Sequence, residues 1–286
     1  MTRLLAMTLL MPLLLFPEAY AGSPPSAHGL DPGWRELFFE RRSMWATARS
    51  RVSLGMDEHD PFGPVRVLRL EGSLASNTEE ETQLLAPHSY ALLQRDRLTR
   101  GKNQRLKQYR YGADQVERIR REPDTSAGPT PEQWPVSSRR TLPVPAFGEG
   151  SVVTSAQALL ALAGEVIGAP GEPLIVYVHT DVNFYRVRLV AAGEEVVDVD
   201  YSLAGGSQRV RGKRTAALVR LEADPAGTLQ DPPDLTLMGL VGEISIALDK
   251  QTRLPLQIRG LAPRLGKTNI SLTAAELSQQ GGGEMP

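Results

Sequence analysis

The sequence predicts a mainly β protein, built as one curved antiparallel sheet, a half-barrel or β-spiral, wrapped around one central helix. Apolar and polar residues alternate with a period of two through the C-terminal half, as in Tyr185, Val187 and Leu189 with Arg186 and Arg188 between them. Short polar breaks separate such runs, and strands joined so briefly must be antiparallel, because a parallel crossover needs about a dozen residues. Only one segment has clear helical spacing.

The chain begins with the layout of a secretory signal peptide. Arg3 precedes an apolar run from Leu4 to Phe16, and Ala19 and Ala21 are the small residues that a signal peptidase recognises. A membrane anchor is the alternative, but a spanning helix needs about 20 apolar residues and this run is shorter. We therefore expect residues 1–21 to be removed, and the mature chain to lie in the periplasm without spanning the membrane.

The mature region, 22–277, is predicted to form a single β domain, with a flexible tail at 278–286. Its N-terminal half-sheet, 44–121, is predicted to contain strands at Trp45 to Leu54, Val65 to Leu74, Tyr90 to Leu98, Gln104 to Tyr111 and Val116 to Arg120. The stretch 122–150 is rich in proline, serine and threonine, which predicts a long loop between two half-sheets. Gly148 to Ser151 is interpreted simply as part of that loop.

The segment 154–167 is the predicted central helix. Its leucines and other apolar residues recur at helical spacing, Thr154 or Ser155 can cap its first turn, and Gly168 with Pro170 closes it. The C-terminal half-sheet, 174–277, follows it. Its predicted turns lie at 192–194, 205–206, 224–227 and 249–253, where glycine, proline and polar residues are concentrated.

Composition excludes several kinds of chemistry. The chain has no cysteine, which excludes disulfides, a lipid-modified N-terminal cysteine, thiolate catalysis and sulfur-ligated metals. The formal net charge is only -1, but ten lysines and arginines and only three acids lie between Arg95 and Arg121. Such a stripe can contact the phosphates of lipid head groups. A solvated strand face is the simpler alternative, because arginine stems cover apolar surface, and an exported protein is not expected to bind nucleic acid.

The sequence contains no recognisable catalytic constellation. It has no nucleophile elbow, phosphate loop, zinc-protease motif or dinucleotide fingerprint. His59 lies in an acidic turn that can be a cation loop or simply a surface turn, and His179 is expected to face solvent at a strand end. Asp198 and Asp200 share one strand face and can form an acid/base pair, although a plain polar face explains them as well. We expect a protein that is not an enzyme and has no metal or other cofactor.

The order of these pieces resembles the bacterial periplasmic family called domain of unknown function 3108. The resemblance rests on the basic hairpins from Ser89 to Tyr111, the helix opening at Ser155, the strand pair around Val176 to Val190, and the run from Gly242 to Gly260 with its Leu-Pro-Leu motif. Proteins of this type are similar in fold to the periplasmic lipoprotein carrier and receptor. That likeness implies a curved sheet around a helix, with an apolar cavity for acyl chains.

The preferred hypothesis is therefore a binding or carrier module for a lipid-like or other apolar molecule. The residues expected to line its cavity are Leu159, Leu160, Tyr185, Val187, Leu189, Ile244 and Ile246. The residues expected to contact a head group or another anion are Arg105, Lys107 and Arg110. The alternative is an envelope scaffolding protein with a solid core and no ligand, whose sheet edge or basic stripe binds another protein. A hydrolase is the least supported class.

Overall fold

The structure is a computed structural model, and it describes residues 31–42, 47–74, 76–124, 130–148, 150–168, 171–263 and 265–278. The predicted signal peptide and nearly all of the predicted tail lie outside these ranges. The strands of the N-terminal part are β1 (Trp34–Arg42), β2 (Thr47–His59), β3 (Gly63–Leu74), β4 (Asn77–Leu85), β5 (Leu92–Arg100), β6 (Arg105–Tyr111), β7 (Gln115–Arg121) and β8 (Val136–Pro143). The C-terminal part contains β9 (Val153–Thr154), the helix α1 (Leu159–Gly168), β10 (Leu174–His179), β11 (Phe184–Leu203), β12 (Gln208–Pro225), β13 (Val241–Asp249), β14 (Pro255–Ala262) and β15 (Gly266–Leu277).

All of these strands belong to one sheet, and the prediction of a mainly β, antiparallel architecture is confirmed. The spatial order is β8-β7-β6-β5-β4-β3-β2-β1-β15-β14-β13-β12-β11-β10-β9. Two meanders of sequential neighbours are therefore joined where β1 pairs with β15. The parallel pairings of the described sheet are β9 with β10 and a short contact between β11 and β15. The first and last strands of the described region are therefore neighbours in this sheet.

The β11–β15 contact closes part of the sheet into a ring of five strands. Ser202 and Leu203 pair with Ala274 and Ala275 there. The predicted turn at 192–194 is wrong, because β11 runs on through it. A register shift between Ala191 and Glu194 absorbs one extra residue as a β-bulge, and such bulges bend a strand.

The helix α1 is shorter than predicted and starts five residues later than Thr154. Thr154 belongs to β9 instead, and its hydroxyl donates a hydrogen bond to the carbonyl oxygen of Tyr90 over 2.8 Å. The Ser155 hydroxyl accepts a hydrogen bond from the amide of Ala158 over 3.1 Å, so it organises the turn before the helix. Seven of the ten residues of α1 are buried, and the helix packs against β11, β12 and β13. Among the described residues, no helix is long and apolar enough to span a membrane.

Besides β9, three strands of the N-terminal part were missed by the sequence analysis. Strand β1 starts at Trp34, before the predicted half-sheet at 44, and β4 carries three consecutive glutamates. Strand β8 lies inside the predicted proline-rich loop, where it pairs antiparallel with β7 and forms one edge of the sheet. Pro135 precedes this strand and Pro143 is its last residue, so the chain between them is free of proline, and an edge strand is where proline is tolerated.

Candidate functional site: an apolar cleft beside a buried polar clasp

An apolar cleft of about 280 Å³ lies between two irregular segments of the chain. One segment is the turn that joins β4 to β5, which contributes Ala86, Pro87 and the nearby Leu93. The other leads from β8 to β9 and contributes Val144, Val152 and Val153, with Tyr111 at the end of β6. Aliphatic side chains line this cleft outside the packed core, which is the usual composition of a site for an apolar ligand.

Hydrogen bonds hold both walls of the cleft in place. In the turn, the amide of Ala86 donates to the carbonyl oxygen of Ala91 over 2.8 Å, and Arg66 donates to the carbonyl oxygen of Pro87 over 2.6 Å. The guanidinium of Arg66 also lies 5.0 Å from the centre of the Tyr90 ring. In the opposite wall, the carbonyl oxygen of Val152 accepts from the amide of Tyr177 over 2.8 Å. The walls are thus anchored to the sheet on each side.

A buried polar cluster lies behind Tyr111, and we call it the clasp. It consists of the turn between β10 and β11 together with the side chains of β5, β6 and β7 that contact it: Arg95, Lys107, Tyr109, Tyr111, Arg118, His179, Thr180, Asp181 and Asn183. Arg95 donates to the carbonyl oxygens of His179, over 2.9 Å, and of Thr180, and it stacks 4.0 Å from the centre of the Tyr109 ring. The clasp therefore fastens the second half of the chain to the first.

His179 is completely buried, so the expectation that it faces solvent is wrong. Its Nδ1 shares a hydrogen bond of 2.9 Å with the hydroxyl of Tyr111, and the rings of Tyr109 and Phe184 pack against it. Burial, followed by the positive charge of Arg95, lowers the pKa of His179 well below its ordinary value. The imidazole is therefore neutral in the folded protein at pH 7.

Asp181 is the charged centre of the clasp. Its carboxylate lies 2.6 Å from Nζ of Lys107 and 3.2 Å from Nε of Arg118, and it accepts a hydrogen bond from the hydroxyl of Tyr109. Burial by itself raises the pKa of Asp181, but the hydrogen bonds and the two cations lower it far below its ordinary value. For Lys107 burial outweighs the carboxylate, and its pKa is lowered.

Asp234 ties the long loop before β13 to the same turn. Its carboxylate accepts hydrogen bonds from the Thr180 hydroxyl over 2.7 Å, the Asn183 amide group over 3.0 Å and the Tyr185 hydroxyl over 3.2 Å. A second cleft, of about 330 Å³ and polar, lies between this loop and β5 and is lined by Arg95 and Arg97 among others. Arg97 and Asp181 face this cleft but are paired with groups outside its lining, Arg97 with Glu79 and Asp181 with Lys107 and Arg118, which favours a structural role for this region.

The basic stripe does not form one open cationic face. In the sheet register Arg97, Lys107 and Arg120 are opposite one another on three neighbouring strands, so their like charges need compensation. Each has a carboxylate partner: Glu79 for Arg97, Asp181 for Lys107 and Glu122 for Arg120. These three cations of the stripe are thus paired within the chain.

The three predicted anion contacts do not converge. Lys107 is buried in the clasp, while Arg110 lies on the opposite face of β6 and pairs with Asp96 over 2.8 Å. Arg105 is half-buried at the start of the strand.

The residues expected to line a cavity lie in the main hydrophobic core and are at most 5% exposed. They are Leu159, Leu160, Tyr185, Val187, Leu189, Ile244 and Ile246. None of these seven residues lines either of the two clefts, which lie beside loops of the chain.

The other polar candidates have structural roles. Asp200 is exposed and forms an ion pair of 2.7 Å with Arg209, so the strand face of Asp198 and Asp200 is a polar surface. His59 closes the hairpin between β2 and β3, where its carbonyl oxygen accepts from the amide of Phe62 over 2.7 Å. Within the described ranges no group of three or more histidine, aspartate or glutamate side chains is placed to hold a metal ion.

Comparison with known proteins adds a single likeness. No family model matches the chain, and no curated protein matches it. The solved structure of a β-barrel-like protein of domain of unknown function DUF1849 from Brucella abortus is similar, with 8% sequence identity and a TM-score of 0.46, over 86% of this chain and 100% of that chain. The resemblance to domain of unknown function 3108 is therefore matched by no family model, and a likeness of this degree carries no argument about function.

Proposed function

We propose that this protein is a non-catalytic binding protein of the bacterial cell envelope, which holds an apolar or lipid-like molecule in the apolar cleft. The observation that carries the proposal is the aliphatic lining of this cleft, outside the closed core. Its volume of about 280 Å³ is at the lower limit of ligand pockets, about 300–1,000 Å³. A single hydrocarbon chain fits that space better than a bulky ligand. In this proposal the sheet curves around α1 in the manner of the periplasmic lipoprotein carriers.

The substitution Val152→Asp tests this proposal. A carboxylate in an apolar cleft costs free energy unless it is paired, so the variant is expected to lose most of the binding. The purified protein is incubated with a bacterial envelope lipid extract, and native mass spectrometry measures the fraction that retains a ligand. Val196→Asp is the matched control, because Val196 lies on β11 and is 63% exposed. An unliganded wild-type protein, or equal retention by both variants, contradicts the proposal.

The packed core favours one second candidate, an envelope scaffolding protein. The seven residues expected to line a cavity are close-packed, and β8 leaves one sheet edge open to pairing with another chain. A pull-down from periplasm distinguishes the two functions. A stoichiometric protein partner together with an unliganded cleft supports the scaffold, whereas a retained lipid supports the binding protein.

Export by a cleavable signal peptide is part of the proposal. In a Gram-negative host we expect the mature protein in the periplasmic fraction with Gly22 as its first residue. Ala21→Arg is expected to block processing, since the peptidase requires a small residue at that position. The intact mass of the protein in each cell fraction measures the outcome. Full-length wild-type chain in the cytoplasm contradicts it.

A further inference from the structure

We infer that the molecule held by the apolar cleft is uncharged: a neutral amphiphile whose hydrocarbon chain ends in a hydroxyl, ester or amide group. This inference rests on the proposed function and narrows its ligand class. It departs from the expectation of a charged head group bound by Arg105, Lys107 and Arg110.

The lining of the cleft contains no aspartate, glutamate, lysine or arginine among the described residues. An ion that enters such a space loses its hydration and gains no opposite charge in return, which is strongly unfavourable. A hydroxyl, ester or amide group has a much smaller desolvation penalty, because one hydrogen bond satisfies most of its polar surface. The described part of the lining therefore compensates neither a cation nor an anion.

Three charged side chains near the cleft, Arg66, Lys107 and Arg118, are already engaged. Arg66 donates to the carbonyl oxygen of Pro87, which lies in the cleft wall, and its guanidinium stacks on Tyr90. Behind the opposite wall, Lys107 and Arg118 are paired with Asp181 in the clasp. If any of these three side chains moved towards a ligand, it would break hydrogen bonds or ion pairs that stabilise the fold.

Hydroxyl and imidazole groups also lie in the lining. The Ser89 hydroxyl oxygen accepts a hydrogen bond from the amide of Ala91 over 3.3 Å, which leaves its own hydrogen to donate. Ser151 is half-buried in the opposite wall, and His88 is exposed in the turn. The Tyr111 hydroxyl is committed to His179. Hydroxyl groups that face a hydrocarbon space suit the oxygen of an alcohol or an ester.

Three ligands with the same ten-carbon chain test the inference: decan-1-ol, decanoate and decyltrimethylammonium. We expect decan-1-ol to bind the full mature chain at least about tenfold more tightly than either ion, measured by isothermal titration calorimetry. The same order is expected in His88→Gln, which removes the titratable side chain of the exposed turn. Tighter or equal binding of decanoate overturns the inference and leaves the proposed function standing. No binding of any of the three overturns both.

A variant with an added charge distinguishes selection of the ligand by its charge from non-specific hydrophobic binding. Ser151→Arg places a cation in the cleft wall, so decanoate is expected to become the preferred ligand of this variant. Ser207→Arg adds the same charge on an exposed turn and is expected to keep the wild-type order. If Ser151→Arg also keeps the wild-type order, charge in the lining does not set the preference and the inference fails.

Discussion

Replacement of Asp181 by alanine is expected to lower the free energy of unfolding by about 3 kcal/mol, because it leaves two buried cations without their carboxylate. Lys107 and Arg118 have side chains that are only 10% and 7% exposed, so water cannot solvate them well once Asp181 is gone. The Tyr109 hydroxyl loses its acceptor as well. Equilibrium unfolding in urea at pH 7 measures the change.

Asp96→Ala is the matched control for this prediction. The side chain of Asp96 is 31% exposed and that of Asp181 is 29% exposed, but Asp96 pairs with a single arginine, Arg110, whose side chain is 41% exposed. A pair of this kind contributes less than about 1 kcal/mol. Similar losses of stability in the two variants would mean that the clasp is no more than a surface ion pair.

The sequence predicts the C-terminal half of the sheet well, because its strands have one apolar and one polar face. Ile244, Ile246 and Leu248 alternate in β13, and the turn from Asp249 to Arg253 ends that strand as predicted. The turn predicted at 192–194 was wrong for a physical reason. Gly193 has a positive φ of 90°, which serves a bulge in a continuing strand as well as it serves a hairpin turn.

The N-terminal half was harder to predict because its polar strands are stabilised by their neighbours. Strand β4 contains Glu79, Glu80 and Glu81, so its hydrophobic pattern is weak. In the sheet Glu79 pairs with Arg97 of β5, and Glu81 is buried and accepts a hydrogen bond from Gln83. The local pattern does not reveal the pairing of Glu79, since Arg97 lies on another strand.

The candidate site was not predicted because each of its parts comes from distant segments. Tyr111 and His179 share a hydrogen bond across 68 positions of sequence. A histidine at the end of a strand usually faces solvent, but the rings of Tyr109, Tyr111 and Phe184 contact this one and it is buried. In the cleft, Val152 and Val153 form an apolar pair directly after a glycine-rich loop. That pair was the one local signal, and it was too short to show a period.

Acidification is expected to destabilise the protein through His179, which is the second large effect that the structure predicts. The pKa of this imidazole is well below its ordinary value of about 6.5 in the folded state, whereas it is ordinary in the unfolded chain. Below pH 6.5 the unfolded state therefore binds a proton that the folded state does not. The free energy of unfolding therefore falls as the pH drops below about 6.5, and a single proton limits the slope to about 1.4 kcal/mol per pH unit.

The groups around His179 reinforce this direction. Arg95 and Arg118 repel a proton on the imidazole, and burial removes its hydration, while Asp181 alone favours the charged form. Asp181 acts at lower pH: its lowered pKa supplies stability that is present above about pH 4 and is lost below it.

Urea unfolding at half-unit steps from pH 7.5 to pH 5 measures the free energy of unfolding over the range in which the unfolded imidazole titrates. His179→Gln is expected to abolish most of the slope and His88→Gln to preserve it; an unchanged slope in His179→Gln means that the imidazole is not held neutral by the clasp.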